Sequence, residues 1–190
     1  MRSNLIVSIL FSVLLMLTSS AIAQDSSIAP GTQVRNLVLA QIDEGDSPDV
    51  AASEVSQTVL DEGLFFDATG MAYLQDNQPS YQTMVGLLNE NATGFELAIA
   101  GFGVMPDVAQ QVVTIAIILF PEDANEIYNI ALQMQMLNEQ DALLAAISAG
   151  IDPSTLTATA AGGAGTPVSP LGVGTGAAGA GGGDTTVSTN

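Results

Sequence analysis

Four acidic residues between positions 43 and 49 form the densest group of potential metal ligands in the chain. They are Asp43, Glu44, Asp46 and Asp49. Carboxylate oxygens suit the hard cation Ca²⁺, which extracellular modules often bind weakly. The group therefore supports the hypothesis of a Ca²⁺ site, and Ca²⁺ is the one cofactor that the sequence suggests. Its spacing departs from the EF-hand loop, which opens D-x-D-x-D-G and closes on a glutamate.

The same segment also has the features of a helix start. Asp46 or Ser47 suits the N-cap position, and Pro48 suits the first helical position because its missing N–H is not needed there. Asp49 would then lie in the first turn, where the helix dipole favours a negative charge. We favour this structural interpretation, which leaves room for a Ca²⁺ site in a well-formed loop.

The residue types that are absent restrict the chemistry of this chain. It contains no His, Cys, Trp or Lys. Ser-His-Asp and Cys-His catalysis, Schiff-base chemistry and the usual zinc, copper and haem ligands are therefore excluded. Carboxylates remain, and most glycosidases use two of them facing a sugar. We expect no catalytic residue and no enzyme activity, and a carboxylate-based glycan hydrolase is the least favoured alternative.

The first 23 residues have the three parts of a secretory signal peptide. Arg2 precedes an apolar run at residues 5–17, and Ala21-Ile22-Ala23 forms a small-x-small cleavage site. The apolar run is shorter than the roughly 20 residues that span a bilayer as a helix. We therefore predict cleavage after Ala23, a secreted or periplasmic protein, and no stable membrane insertion after cleavage.

The charge balance excludes one class of partner. The 20 Asp and Glu face two arginines, and loss of Arg2 with the signal peptide would leave Arg35 alone and a net charge of about −19. An acidic surface repels nucleic-acid phosphates and anionic lipid head groups. We therefore expect no nucleic-acid binding.

Composition divides the remaining chain into three zones. Residues 24–31 are polar and are predicted to form a flexible arm, and residues 32–161 hold nearly all the large apolar side chains and form the predicted helical domain. Residues 162–190 follow, and the part up to residue 183 contains 10 of the 19 glycines and no charge. Such a segment buries too little surface to offset its ordering entropy, so a disordered Gly/Ala-rich tail is predicted.

Turn residues recur at a nearly constant step in the helical domain. Helix-start patterns at residues 106, 121, 138 and 153 are separated by 15, 17 and 15 positions. This spacing predicts short helices of about 11 residues joined by tight turns. Because short helices cannot bury their apolar faces alone, we predict an all-α domain of stacked helices, either a bundle or a short α-solenoid.

The apolar faces of two of these helices can be assigned by helical period. In the first helix, the predicted face contains Ala124, Ile127, Tyr128, Ala131 and Met134. In the second, from residue 141, the predicted core-facing residues are Leu143, Leu144, Ala146 and Ile147. Gly150 follows the second helix at the position of a C-terminal cap.

Two apolar segments remain open to more than one interpretation. Residues 112–120 are apolar on all sides and suit a buried strand or a buried helix; we favour a helix in the middle of the domain. Residues 64–66 and 71–74 could form an exposed patch for a partner, but an early core helix is the favoured interpretation.

Taken together, these features favour an exported, non-enzymatic interaction or assembly protein, such as a component of a cell surface or extracellular matrix. Its partner would be another protein or further copies of the chain, since stacked helices present extended binding surfaces. The alternative from a different class is a Ca²⁺-dependent secreted binding module. Calorimetry with Ca²⁺ would separate these two hypotheses.

Overall fold

The computed structural model of the protein describes residues 28–157. Within this range the chain forms eight α-helices, three 3-10 helices and no strand, so the all-α prediction is confirmed. The predicted signal peptide, residues 24–27 of the predicted arm and the predicted low-complexity tail lie outside the described residues. The helices are α1 (Pro30–Asp43), α2 (Pro48–Glu62), α3 (Ala68–Asp76), α4 (Gln78–Gly86), α5 (Gly94–Val104), α6 (Ala109–Leu119), α7 (Ala124–Gln133) and α8 (Glu139–Ser148).

Helix α6 forms the centre of the structure. Every residue from 112 to 120 is buried, as the apolar sequence predicts. Helices α1, α4, α5, α7 and α8 all pack against α6. In a solenoid each repeat contacts its sequence neighbours, whereas α6 also contacts the distant α1 and α4. The described architecture is therefore a bundle around one buried helix.

The predicted turn residues begin helices by several different devices. Pro106 and Pro121 each open a short 3-10 turn, Pro106–Val108 and Pro121–Asp123, that leads into α6 and α7. The Thr93 hydroxyl accepts a hydrogen bond from the Glu96 N–H, and the Glu96 carboxylate accepts one from the Thr93 N–H. This reciprocal pair satisfies two backbone donors that the first turn of α5 would otherwise leave free.

Helices α5 and α6 meet at Met105, where the path of the chain bends by 119° between Gly94–Val104 and the segment that ends at Leu119. Within the described residues, no single helix combines the length and hydropathy needed to cross a bilayer. The bent pair meets those two criteria only when its two helices are counted together. The bend places the exposed residues Pro106 and Asp107 at one end of the bundle.

Phe120 packs against two glycines that belong to different helices. A Cβ on Gly31 would lie 2.6 Å from the Phe120 ring, and one on Gly94 would lie 2.8 Å from Phe120 Cβ. These close approaches require residues without side chains at both positions. Helix α1 begins at Pro30, so Pro30 and Gly31 belong to the helical bundle rather than to the predicted arm.

The predicted inner face of α8 is confirmed for Ala146, only partly buried at Leu143, and wrong for Leu144 and Ile147. Leu144 and Ile147 are each 46% exposed, and the buried residues of α8 are Ala142, Ala145 and Ala146. A face of alanines permits close approach to α6, where the Thr114 hydroxyl lies 3.1 Å from the Ala145 carbonyl oxygen. With the alanine face against α6, Leu144 and Ile147 lie on the solvent side of α8.

The predicted face of α7 is confirmed for four residues and wrong for the fifth. Ala124, Ile127, Tyr128 and Ala131 are buried, but Met134 is 43% exposed. Helix α7 ends at Gln133, and Gln135 adopts a φ of 55°, which turns the chain away from the helical path. Met134 is the C-cap residue beyond the last helical position, and it lies outside the buried face.

The aromatic segment at residues 64–66 belongs to the core but not to a helix. It forms the connection between α2 and α3, where Gly63 and Phe65 have φ values of 65° and 68°. Phe65 and Phe66 are partly buried and pack against the core. The Phe66 ring meets the Tyr81 ring edge-on, with centroids 6.2 Å apart. The core interpretation is therefore confirmed. Residues 71–74 lie in α3, as predicted, whereas residues 64–66 are not helical.

Candidate functional site

A surface cleft of about 520 Å³ opens where three connections between helices meet. These connections join α3 to α4, α5 to α6, and α7 to α8. The volume lies within the range of sites that hold a small molecule or a side chain of a partner. The lining residues are Tyr73, Asn77, Pro106, Asp107, Val108, Ala109, Gln110, Gln111, Met136 and Leu137.

Two hydrogen bonds hold polar side chains on the wall of the cleft. The Ser80 hydroxyl donates to Gln111 Oε1 at 2.6 Å, and Asn77 Nδ2 donates to the Tyr73 carbonyl oxygen at 2.9 Å. The Gln111 carboxamide is therefore hydrogen-bonded through its oxygen, and the Asn77 carboxamide through its nitrogen. Within residues 28–157 the Gln111 NH₂ group and Asn77 Oδ1 have no hydrogen-bond partner, so they remain as a donor and an acceptor for a ligand.

Other polar groups of the cleft have no partner in the described part of the chain. Among residues 28–157, neither the Tyr73 hydroxyl nor the Gln110 carboxamide makes a hydrogen bond. Met136, Leu137 and Val108 supply partly buried apolar surface beside these groups. The cleft thus combines apolar walls with a few polar groups that could fix the orientation of a ligand.

The ionisable groups of the cleft are few. Of the ten described residues that line it, Asp107 and Tyr73 carry the ionisable side chains. A retaining glycosidase places two carboxyl groups about 5–5.5 Å apart, and an inverting one places them about 6.5–9.5 Å apart. The described lining supplies one carboxylate, so it does not contain such a pair.

The four acids of the calcium hypothesis lie at the turn between α1 and α2. Asp43 ends α1, Glu44 follows as its C-cap, and Gly45 turns the chain with a φ of 111°. The helix-start interpretation is confirmed, because Ser47 is the N-cap of α2, Pro48 is its first residue and Asp49 lies in its first turn.

The structure does not bring these four acids together as a ligand set. Asp43, Glu44 and Asp49 are exposed and Asp46 is half-buried. Within residues 28–157, no three acidic side chains are grouped so that they could hold a metal ion. Binding of Ca²⁺ by Asp43, Glu44, Asp46 and Asp49 stays a prediction, which thermal unfolding in CaCl₂ can test.

Three buried polar atoms lack a hydrogen-bond partner within the described residues. They are Arg35 Nε and Gln41 Oε1 on α1, and the Tyr81 hydroxyl oxygen on α4. Tyr81 is fully buried, and this burial raises its pKa above the ordinary value. None of the three residues lines the cleft. We therefore assign them to the energetics of the fold rather than to the site.

A second, smaller cavity of about 160 Å³ lies near the α2–α3 connection. Phe65, Phe66, Ile117 and Ile118 supply most of its apolar lining, and Asp67 lies at its edge. Asp67 is already engaged as the N-cap of α3, since its carboxylate accepts a hydrogen bond from the Gly70 N–H at 2.7 Å. This cavity has room for one apolar side chain and offers little polar chemistry.

The cleft could not be identified from the sequence. Its lining residues span positions 73–137 and come from three connections whose proximity depends on how the helices pack. One signal was present: Asn77, Pro106 and Asn138 mark turns in three segments, and turns at the same end of a bundle can meet. The polarity of each turn alone gives no indication of a shared cavity.

Comparison of the chain with protein-family models, with curated proteins and with solved structures finds no significant match.

Proposed function

We propose that this chain is an exported, non-enzymatic interaction or assembly protein. The observation that carries the proposal is the cleft between the three helix connections, whose described lining combines apolar surface and carboxamides with a single carboxylate. Such a lining recognises and holds a partner group, whereas acid–base catalysis of glycan hydrolysis calls for a pair of carboxylates.

The distribution of the acidic residues supports the same proposal. Eighteen of the 20 Asp and Glu lie between residues 28 and 157, and most of them are exposed. Single carboxylates spread over a surface provide charge for solubility and for steering a partner. The residues at positions 1–23 support export, since their basic head, apolar run and small-x-small exit are typical of a secretory signal peptide.

The proposal predicts that the native protein occurs in a particle heavier than its own chain. The test is sedimentation velocity of the protein in its native extract and after purification, each with and without millimolar Ca²⁺. A particle heavier than the 19.4 kDa chain in the native extract is expected. A monomer under all conditions, together with turnover in a panel of glycan substrates, would contradict the proposal and favour the hydrolase alternative.

A further inference from the structure

The cleft lies in a part of the surface where negative charge is unopposed. Asp107 lines it, Asp76 directly precedes the lining residue Asn77, and Glu139 follows Leu137 by two positions. All three acids are exposed. Within the described residues the one basic side chain is Arg35 on α1, which forms no ion pair there and does not line the cleft. The charge beside the cleft therefore favours a cationic ligand over an anionic one.

The described lining offers a cationic side chain each kind of contact that it needs. The Asp107 carboxylate can accept charge-assisted hydrogen bonds, and Asn77 Oδ1 remains as a neutral acceptor. Met136 and Leu137 provide apolar surface for an aliphatic stem. The Tyr73 ring can interact with a cation through its π face. An anionic ligand would meet no compensating positive charge among these residues.

We propose that this cleft is a docking site for a Lys or Arg side chain of a basic protein segment. The proposal rests on the interaction function proposed above and specifies the chemistry of the partner. Charge complementarity selects this occupant, because a second copy of the same acidic chain would be repelled and a neutral ligand would gain nothing from the field. The partner's basic residues supply the positive charge that this chain lacks.

The experiment uses the full mature chain and three synthetic decapeptides: decalysine, decaglutamate and a neutral Gly-Ser repeat. Affinities are measured by isothermal titration calorimetry, and the contact site is mapped by backbone amide chemical shifts. Decalysine is expected to bind and to shift the amides of Gln110 and Gln111. Decaglutamate and the neutral peptide are expected to show no binding. Equal binding of the neutral peptide, or no binding of decalysine, would overturn the proposal.

Two variants of equal charge separate the cleft from the overall field of the protein. Asp107→Asn removes a carboxylate from the cleft, and Glu122→Gln removes an exposed one near the other end of α6. Each variant removes one negative charge, so the long-range attraction between the protein and decalysine weakens equally in both. Asp107→Asn is expected to weaken decalysine binding by about threefold more than Glu122→Gln does, as for a partly exposed ion pair. Equal losses in the two variants would overturn the proposal.

A second pair of variants tests the aromatic wall without any change of charge. Tyr73→Leu is expected to weaken decalysine binding, and Tyr73→Phe, which keeps the ring, is expected to restore it. Weakening by both variants to the same extent would contradict a role for the ring. If Tyr73→Leu does not fold, the comparison of Asp107→Asn with Glu122→Gln decides the matter, because both of those side chains are exposed.

Failure of this proposal can be distinguished from failure of the interaction function. A heavy native particle together with equal affinities of Asp107→Asn and Glu122→Gln would overturn the docking site alone. A native monomer that nevertheless binds decalysine through Asp107 would show a basic-side-chain site in a protein that does not assemble in its native extract.

Discussion

The Ser80 hydroxyl donates a hydrogen bond of 2.6 Å to Gln111 Oε1 and thereby joins α4 to α6 at the wall of the cleft. The two residues lie 31 positions apart, so the bond forms only when the bundle has packed. It fixes which end of the Gln111 carboxamide is available to a ligand, because the oxygen is engaged and the NH₂ group has no partner in the described part of the chain. The geometry of the cleft is therefore coupled to the packing of the two helices.

Loss of this bond should destabilise the fold slightly and loosen the site. Ser80→Ala is expected to lower the free energy of unfolding by about 1 kcal/mol, the usual net value of one hydrogen bond. Urea denaturation measures this change. Ser148→Ala is the matched control, because the Ser148 hydroxyl donates to the Leu144 carbonyl oxygen of its own helix and joins no two elements. An equal effect of the two substitutions would contradict the assigned role of Ser80.

Two glycines of α5 should respond in opposite directions to the same substitution. A Cβ on Gly101 would lie 2.6 Å from Val112 Cγ1 and 2.8 Å from Met84 Sδ, whereas a Cβ on Gly103 would meet no atom of the described residues within 4 Å. Gly101→Ala is therefore expected to cost about 1–3 kcal/mol by overpacking. Gly103→Ala is expected to stabilise the protein by up to about 1 kcal/mol, through helix propensity. Denaturation midpoints of the two variants test this, and a stable Gly101→Ala would show that α5 does not pack closely on α6.

Tyr81 should make the protein sensitive to alkaline pH. Burial raises its pKa in the native state, while in the unfolded chain a tyrosine ionises near pH 10. The stability that depends on the neutral phenol is complete below about pH 10. It is lost as pH rises above that value, because the unfolded state then binds fewer protons than the native state does. The free energy of unfolding is therefore expected to fall between pH 9 and pH 11, on the order of 1 kcal/mol per pH unit.

Tyr81→Phe provides the control for this titration. It is expected to flatten the alkaline fall, and to leave stability at pH 7 unchanged or raised by about 1 kcal/mol because a buried hydroxyl without a partner among residues 28–157 is removed. Burial and the nearby Glu139 carboxylate also raise the pKa of Tyr128, so a smaller slope should remain. If the free energy of unfolding of Tyr81→Phe falls as steeply with pH as that of the unchanged protein, Tyr81 is not the cause of the alkaline sensitivity.

Salt should stabilise the domain by screening repulsion between its acids. Eight acidic residues lie between positions 43 and 67, and Arg35 forms no ion pair within the described residues. Raising NaCl from 0.1 to 1 M shortens the Debye length from about 10 Å to about 3 Å, so the thermal midpoint is expected to rise. No change in midpoint would indicate that the acids are too far apart in the fold to repel one another.

The same thermal series tests the calcium hypothesis. CaCl₂ at matched ionic strength should raise the midpoint beyond NaCl only if the native state binds the ion, because binding to the native state alone shifts the equilibrium by mass action. A Ca²⁺-specific gain that Asp46→Asn abolishes would support a site at the α1–α2 turn. Equal midpoints in the two salts would eliminate the Ca²⁺-dependent module.

The sequence predicts those features of the fold that depend on local chemistry. Turn and capping residues such as Thr93 and Pro106 locate helix starts, because they satisfy or replace backbone donors within one turn. The uninterrupted apolar run at residues 112–120 identifies the central helix, since no polar face remains for solvent. These conclusions need no knowledge of which helices are neighbours.

The features that the sequence did not predict depend on distant contacts. Alanine and leucine are both apolar, so the pattern of α8 could not show that Ala145 would pack inward and Leu144 outward. Which of the two faces packs inward depends on how closely α8 approaches α6. The cleft depends on the same long-range packing, because Tyr73, Gln111 and Met136 share a wall only after the bundle has formed. The acidic group at residues 43–49 was conspicuous in sequence, yet its local role is to end one helix and start the next.

Position-specific photo-cross-linking in the native extract tests the interaction function most directly. A benzophenone side chain is placed at Gln110, which is exposed at the cleft, or at Glu122, which is exposed near the other end of α6. One adduct of defined mass, formed with a peptide that contains Lys or Arg, is expected from position 110, and none is expected from position 122. No adduct from position 110, or the same adducts from both positions, would contradict the claim that this cleft is where the protein meets its partner.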